Sequence, residues 1–131
     1  MTNTKTKGDA TEAIVLAHLV RRGEAVLLPF GDNQRYDMVV HKRDGSFERI
    51  QCKTAKLKDG VITFWSCSNN GFTFEKKTYA GEADVFMVHC PDNDKVYRVP
   101  VGEANQKNVS LRVDAPKIKS PTVRWASQYE C

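Results

Sequence analysis

The chain has 131 residues, of which 40% are hydrophobic and 27% are charged, and its formal net charge is +4. This length predicts one compact domain spanning residues 1–131, and the hydrophobic content suits an ordinary globular core. The apolar stretches are far shorter than a membrane-spanning helix, which excludes an integral helical membrane protein. A mild positive charge is compatible with a polyanionic partner without establishing one.

The cysteine pattern indicates a reducing environment and no structural zinc. No two of the four cysteines form a CxxC pair, and no histidine lies at zinc-finger spacing. The N-terminal "MTNTKTKGDATEA" has no apolar signal core. We therefore expect a cytoplasmic protein with reduced thiols and no membrane association.

The first predicted element is a helix over residues 8–23, preceded by a polar segment, residues 1–7, that we expect to be flexible. Its apolar residues cover one broad face, and Asp9 or Thr11 is placed to cap the N-terminus. Gly23 supplies a C-terminal stop, because glycine readily adopts the left-handed conformation found there.

After the helix the chain reads mainly as strands separated by turn signals. The segment "DVFMVHC" is apolar enough to be buried on both faces, and the last strand pattern, "NVSLRVDA", suits a sheet edge. The predicted strands are residues 24–30, 35–42, 46–56, 60–68, 84–90, 95–101 and 108–115, with a short helix at 122–130. A helix, a strand meander and then mixed elements predict an α/β or α+β-like domain.

Hairpin register decides which polar residues of the second and third strands share a face. A two-residue Asp-Gly turn would leave Asp37 on the face away from Gln51 and Lys53. A three-residue loop, "RDG", pairs Lys42 with Ser46 and places Asp37 opposite Gln51. Both loops suit the sequence, and we predict the three-residue form because it alone gathers the polar residues.

These polar residues form a recognisable pattern. The order is Glu12 at the edge of the helical apolar stripe, "YD" at 36–37, a hairpin, and "QCK" at 51–53. This arrangement resembles the PD-(D/E)xK nuclease superfamily. The segments "YAGEADVFMVHCPDNDKVYRVP" and "RWASQYE" are similar to its group-I-intron homing endonuclease branch, and the resemblance covers nearly the whole chain. Tyr36 replaces the proline of the motif name, and Gln51 replaces the usual acid.

The resemblance implies a restriction-endonuclease-like core, with a central mixed β-sheet flanked by helices, and metal-dependent cleavage of double-stranded DNA. It implies four catalytic residues: Glu12, Asp37, Gln51 and Lys53. The expected cofactor is Mg²⁺, with Mn²⁺ as a substitute, held by Asp37, Gln51 and the backbone carbonyl of Cys52. Glu12 would act through a water or a second ion, and the Cys52 sulfur would point into the core. Because Gln51 is neutral, we expect weaker metal binding than a carboxylate would give.

Lys53 would orient or deprotonate the attacking water, or neutralise charge developing on the phosphate. The candidates for DNA phosphate contacts are Lys56, Lys58, Lys76 and Lys77. One small domain covers little DNA, so we expect a homodimer or homotetramer. The aromatic residues expected in the core rather than stacked on bases are Phe30, Phe64, Trp65, Phe72, Phe74, Phe86 and Trp125.

Two alternatives remain open from the sequence. Holliday-junction resolvases of the archaeal type share this fold and size and cut branched DNA by shape. A nuclease fold weakened by Gln51 could instead bind nucleic acid without cutting it.

Overall fold

The computed structural model describes residues 4–31, 33–69, 76–104, 107–114 and 123–131. The elements in chain order are helix α1 (Thr4–Arg21) and strands β1 (Ala25–Leu27), β2 (Met38–His41), β3 (Phe47–Thr54), β4 (Lys56–Lys58), β5 (Val61–Trp65), β6 (Cys67–Asn69), β7 (Lys76–Thr78), β8 (Val85–Cys90), β9 (Lys95–Pro100) and β10 (Asn108–Arg112), with short 3₁₀ helices at Val101–Glu103 and Ala126–Gln128.

Helix α1 begins earlier than the capping residues predicted. It starts at Thr4, so residues 4–7, expected to be flexible, are helical, and Asp9 and Thr11 lie inside the helix rather than at its cap. An ion pair between Lys5 and Asp9 (3.8 Å), one turn apart, supports this first stretch. The predicted stop is confirmed, because Gly23 follows the helix with a φ of +81°.

One side of α1 packs on the sheet and the other faces solvent. Thr11, Val15 and Leu19, each four residues apart, are buried, whereas Val20 is exposed. The Thr11 hydroxyl lies 2.6 Å from the hydroxyl of Thr54, the last residue of β3. This contact holds the first half of the helix against the end of β3.

The central sheet has the order β1-β2-β3-β8-β9. Strand β3 pairs with β8 in parallel, and the other neighbours pair antiparallel. The predicted central mixed sheet is therefore confirmed.

Two different layers cover the faces of this sheet. Helix α1 covers one face, over a core that includes Met38, Ile50 and Met87. In the described part of the chain the other face carries a second sheet, β10-β5-β4, over a core that includes Phe64 and Phe86. Strand β10 is an edge of that sheet, as predicted, and β8 is buried along its whole length because its side chains alternate between the two cores.

The expected aromatic core is only partly correct. Phe64 and Phe86 are buried, but Phe30, Trp65 and Trp125 are exposed, and Phe72 and Phe74 lie outside the described residues. Trp65 follows the inward-facing Phe64 on one strand and so points outward.

All four cysteines are free thiols. Among the described residues, no helix combines the length and apolar character needed to cross a membrane.

Candidate active site

The hairpin joining β2 and β3 sets the position of Asp37. The Lys42 N–H donates to the Ser46 carbonyl (2.8 Å), and the Gly45 N–H donates to the Lys42 carbonyl (3.0 Å). Gly45 has a φ of +90°. The predicted three-residue loop is therefore confirmed, and the regular pairing of β2 with β3 runs from His41–Phe47 to Met38–Ile50, one residue after Asp37.

Asp37 lies just before β2 and is tied to β3 by its backbone and its side chain. Its N–H donates to the Ile50 carbonyl (2.7 Å), and its Oδ2 accepts the Cys52 N–H at 2.8 Å. Strand β2 begins at Met38, so β3 continues beyond the end of β2. There the Asp37 carboxylate accepts the Cys52 N–H, in place of a backbone carbonyl of a neighbouring strand. Burial raises the pKa of Asp37, while the Cys52 N–H and the Lys53 ammonium act to lower it.

The Cys52 side chain packs against the core beneath α1, as predicted. Burial raises the pKa of its thiol strongly, and the nearby charges of Asp37 and Glu12, which were not predicted from the sequence to act on it, raise the pKa further. The thiol is therefore protonated at neutral pH.

Glu12 and Asp37 face the same cleft. This cleft of about 270 Å³ is also lined by Leu28, Pro29, Gly31, Gln34 and Tyr36. Burial raises the pKa of Glu12, and repulsion from Asp37 and then Asp9 adds to the effect. Two carboxyl groups whose pKa values are both raised therefore lie at one opening.

Gln51 and Lys53 are half-buried on β3 and are not among the described residues that line this cleft. The Gln51 side-chain amide Nε2 donates to the Cys52 carbonyl at 3.3 Å. The Lys53 Nζ donates to the Tyr79 hydroxyl at 3.2 Å. The charge of Lys53 nevertheless reaches Asp37, since it lowers the pKa of that carboxyl.

Tyr79 and Arg35 belong to this region and were not predicted from the sequence. Tyr79 is buried, and the Arg35 guanidinium lies 4.0 Å from the centre of its ring. Tyr79 is 26 residues from Lys53 in the chain, and no local pattern pointed to their contact.

The predicted DNA-binding lysines are only partly described. Lys56 and Lys58 are exposed on β4 and, with one residue between them, share a side of that strand. The backbones of Lys76 and Lys77 belong to β7, and their side chains lie outside the described residues.

The described residues contain no group of three His, Cys, Asp or Glu side chains suited to a metal ion. The predicted ligand set has another composition: a carboxylate, an amide and a backbone carbonyl, all of which are oxygen donors that Mg²⁺ accepts. In this structure the amide nitrogen of Gln51 faces the Cys52 carbonyl, so the fit to a hard divalent cation rests on the oxygen-donor chemistry of these residues and not on their geometry.

A mixed central sheet, with a carboxylate at the end of the β2–β3 hairpin and an amide and a lysine on β3, is the arrangement of PD-(D/E)XK nucleases. Residues 2–131 match the family model described as PD-(D/E)XK endonuclease. The chain belongs to this family.

A solved structure shares the fold. The bacterial homing endonuclease I-Ssp6803I superposes with a TM-score of 0.78 at 21% sequence identity, covering 98% of this chain and 89% of that one. No curated protein matches the sequence.

Proposed function

We propose that this PD-(D/E)XK nuclease is a metal-dependent endonuclease that hydrolyses phosphodiester bonds in double-stranded DNA, with Glu12, Asp37, Gln51 and Lys53 as its catalytic residues. The observation that carries the proposal is the position of Asp37. Its carboxylate is bound to β3 at the Cys52 N–H, faces the same cleft as Glu12, and lies within reach of the Lys53 charge. The single-domain organisation over residues 1–131 is part of the same proposal.

Asp37, Gln51 and the Cys52 carbonyl would hold Mg²⁺, with Mn²⁺ as a substitute, and Glu12 would contribute through a water or a second ion. A bound divalent ion supplies Lewis-acid chemistry: it acidifies water and offsets charge on the phosphate. The raised pKa values of Asp37 and Glu12 support this assignment. A cation held by Asp37 would offset the burial of this carboxylate and the repulsion from Asp37 that raises the pKa of Glu12.

Lys53 brings a positive charge to the same end of β3. An ammonium has three N–H donors, and one of them is directed to the Tyr79 hydroxyl. The other two are suited to orient the attacking water or to donate to a phosphate oxygen, which stabilises charge developing in the transition state.

The exposed Lys56 and Lys58 follow directly on the strand that carries Gln51 and Lys53. Contacts from these ammonium groups to phosphates would position the duplex without reading its sequence. Lys76 and Lys77 are part of the same proposal. A symmetric homodimer or homotetramer would extend the contact over two half-sites.

Cleavage assays on Lys53→Met test the proposal, since this substitution removes the charge and keeps much of the apolar stem. Purified protein is incubated with supercoiled plasmid, linear genomic DNA and a synthetic four-way junction, with Mg²⁺ or with EDTA. We expect Mg²⁺-dependent cutting of duplex DNA. We expect Lys53→Met to lower the single-turnover rate about 10²- to 10⁴-fold, with the Kd for DNA changed only a few-fold.

Lys95→Met is the matched control, because Lys95 pairs with Glu130 (3.1 Å) on the edge strand β9 and lies outside the proposed site. It should cut at the wild-type rate. Cutting confined to the four-way junction would indicate a resolvase. DNA binding without cutting would indicate a binding module, and undiminished cutting by Lys53→Met would remove Lys53 from the mechanism.

A further inference from the structure

The direct partner of the Lys53 ammonium in this structure is a tyrosine hydroxyl. Lys53 Nζ lies 3.2 Å from Tyr79 Oη and 4.7 Å from the centre of the Tyr79 ring. Only 5% of Tyr79 is exposed, so its hydroxyl is presented from a buried ring and not from a mobile surface group.

Tyr79 is itself held from several directions. Its ring meets Phe86 edge-on, with centroids 5.6 Å apart and an interplanar angle of 90°. The Arg35 guanidinium lies over the ring, and Arg35 in turn bonds with Glu82 (2.9 Å) and with the Thr78 carbonyl (2.9 Å). The Tyr79 carbonyl accepts N–H groups of the turn that follows, which fixes the backbone.

A lysine side chain by itself is poorly suited to hold a charge at one point. It carries about 2 kcal/mol of rotamer entropy on a flexible four-carbon stem. A fixed hydroxyl that accepts one N–H reduces this freedom and leaves two N–H donors for a water or a phosphate. The aromatic face next to the ammonium adds a cation–π attraction.

We propose that Tyr79 is a positioning residue that holds the Lys53 ammonium at the end of β3 for DNA cleavage. The inference rests on the proposed function, because it assumes that Lys53 acts in the reaction. Tyr79 acts through Lys53 and needs no contact with the DNA.

Tyr79→Phe tests this role, since it removes only the hydroxyl and keeps the ring between Phe86 and Arg35. The single-turnover cleavage rate should fall about tenfold, as expected for the removal of one hydrogen bond, while the Kd for DNA stays within about twofold. Added to Lys53→Met, the same substitution should cause no further loss, because the group it positions is already absent.

Tyr97→Phe is the matched control. Tyr97 is also a buried tyrosine, and its hydroxyl accepts a hydrogen bond from Asn93 Nδ2 at 3.0 Å, but it lies on β9, two strands from Lys53. It should leave the cleavage rate unchanged. Wild-type cleavage by Tyr79→Phe, or a loss that adds in full to that of Lys53→Met, would overturn the proposal.

A measurement independent of cleavage separates this inference from the proposed function. ¹⁵N relaxation of the lysine ammonium groups should show Lys53 more ordered than the exposed Lys56, and Tyr79→Phe should abolish the difference. Equal order in the wild-type protein would refute positioning by Tyr79. A protein that fails to cut DNA but shows this order would refute the proposed function, and with it the role of Tyr79 in cleavage, while the ordering of Lys53 by Tyr79 would stand.

Discussion

At the scale of single residues, two opposing influences act on the pKa of Asp37. It is half-buried, and burial raises its pKa. Its carboxylate nevertheless accepts the Cys52 N–H and lies near the Lys53 charge, and both favour the ionised form. Because burial is the larger influence, the ionised carboxylate destabilises the folded protein at neutral pH, a common property of functional sites.

The pH dependence of this effect has a definite sign. Between the ordinary carboxyl pKa near 3.8 and the raised value in the folded state, the folded protein retains a proton that the unfolded chain has lost. The free energy of unfolding therefore falls as pH rises through this window and is not affected further above it. Glu12, whose pKa is also raised, contributes in the same direction.

We predict that Asp37→Asn raises the melting temperature at pH 7 relative to wild type and lowers the cleavage rate at least about 100-fold, as loss of electrostatic stabilisation does elsewhere. The gain in melting temperature should be small at pH 4 and should grow towards neutral pH. Mg²⁺ should stabilise the wild-type protein and not the variant. Thermal unfolding across pH, with and without Mg²⁺, measures these effects.

Asp92→Asn is the control for this prediction. The Asp92 carboxylate also accepts a backbone N–H at 2.8 Å, from Leu57, but it is exposed. It should give no pH-dependent gain in melting temperature. An Asp37→Asn protein that is no more stable than wild type at pH 7 would contradict the conclusion that burial is the dominant influence on the pKa of Asp37.

At the scale of elements, the β2–β3 hairpin decides the register on which the site depends. Besides the backbone bonds of the loop, the Asp44 carboxylate accepts hydrogen bonds from the N–H and the hydroxyl of Ser46 (2.9 and 2.6 Å). Gly45 supplies the left-handed residue that a three-residue hairpin loop needs. A one-residue slip would turn Asp37 to the opposite face of the sheet.

We predict that Gly45→Ala lowers the free energy of unfolding by about 1–2 kcal/mol, the cost of a left-handed conformation for a residue with a side chain. Gly8→Ala, in the exposed part of α1, should raise it by roughly 0.5–1 kcal/mol. An added Cβ meets no atom within 4 Å at either position, so the comparison isolates the backbone conformation. Urea unfolding at 25 °C measures both, and equal stabilities of the two variants would contradict the prediction.

At the scale of the whole molecule, the central sheet separates two cores and β8 serves both. The face under α1 is completed by the helix that carries Glu12, and the opposite face contains Tyr79 and Phe86. The candidate site lies where these layers meet at the end of β3. Glu12, the carboxylate on the helix, and Tyr79, the residue that contacts Lys53, therefore come from opposite sides of the same sheet.

The net charge of +4 belongs to the whole molecule. The salt dependence of DNA binding reports how many of its positive charges contact phosphates. We predict that the double variant Lys56→Ala/Lys58→Ala reduces the slope of log K against log salt concentration by about 2, close to 0.9 for each phosphate that is no longer neutralised. Titrations of a linear duplex in EDTA, which prevents cutting, give the slope.

Lys95→Ala, which removes a lysine paired with Glu130 on β9, should leave that slope unchanged. An unaltered slope in the double variant would place the DNA elsewhere on the surface.

The sequence by itself determined the features that depend on neighbours in the chain. Alternating side chains and a turn glycine predicted the hairpin, and the continuous apolar run predicted that β8 would be buried on both faces. These predictions were correct because strand periodicity and turn conformation are local properties. The start of α1 was not determined in this way, because the helix begins at Thr4, ahead of the residues suited to cap it, where Lys5 and Asp9 form an ion pair one turn apart.

Only the tertiary structure decided the parallel pairing of β3 with β8, the second sheet over one face, the exposure of Phe30, and the contact between Lys53 and Tyr79. Each depends on residues far apart in the chain. Whether such residues meet is decided by which layers bury the most apolar surface together, and no short stretch of sequence contains that information.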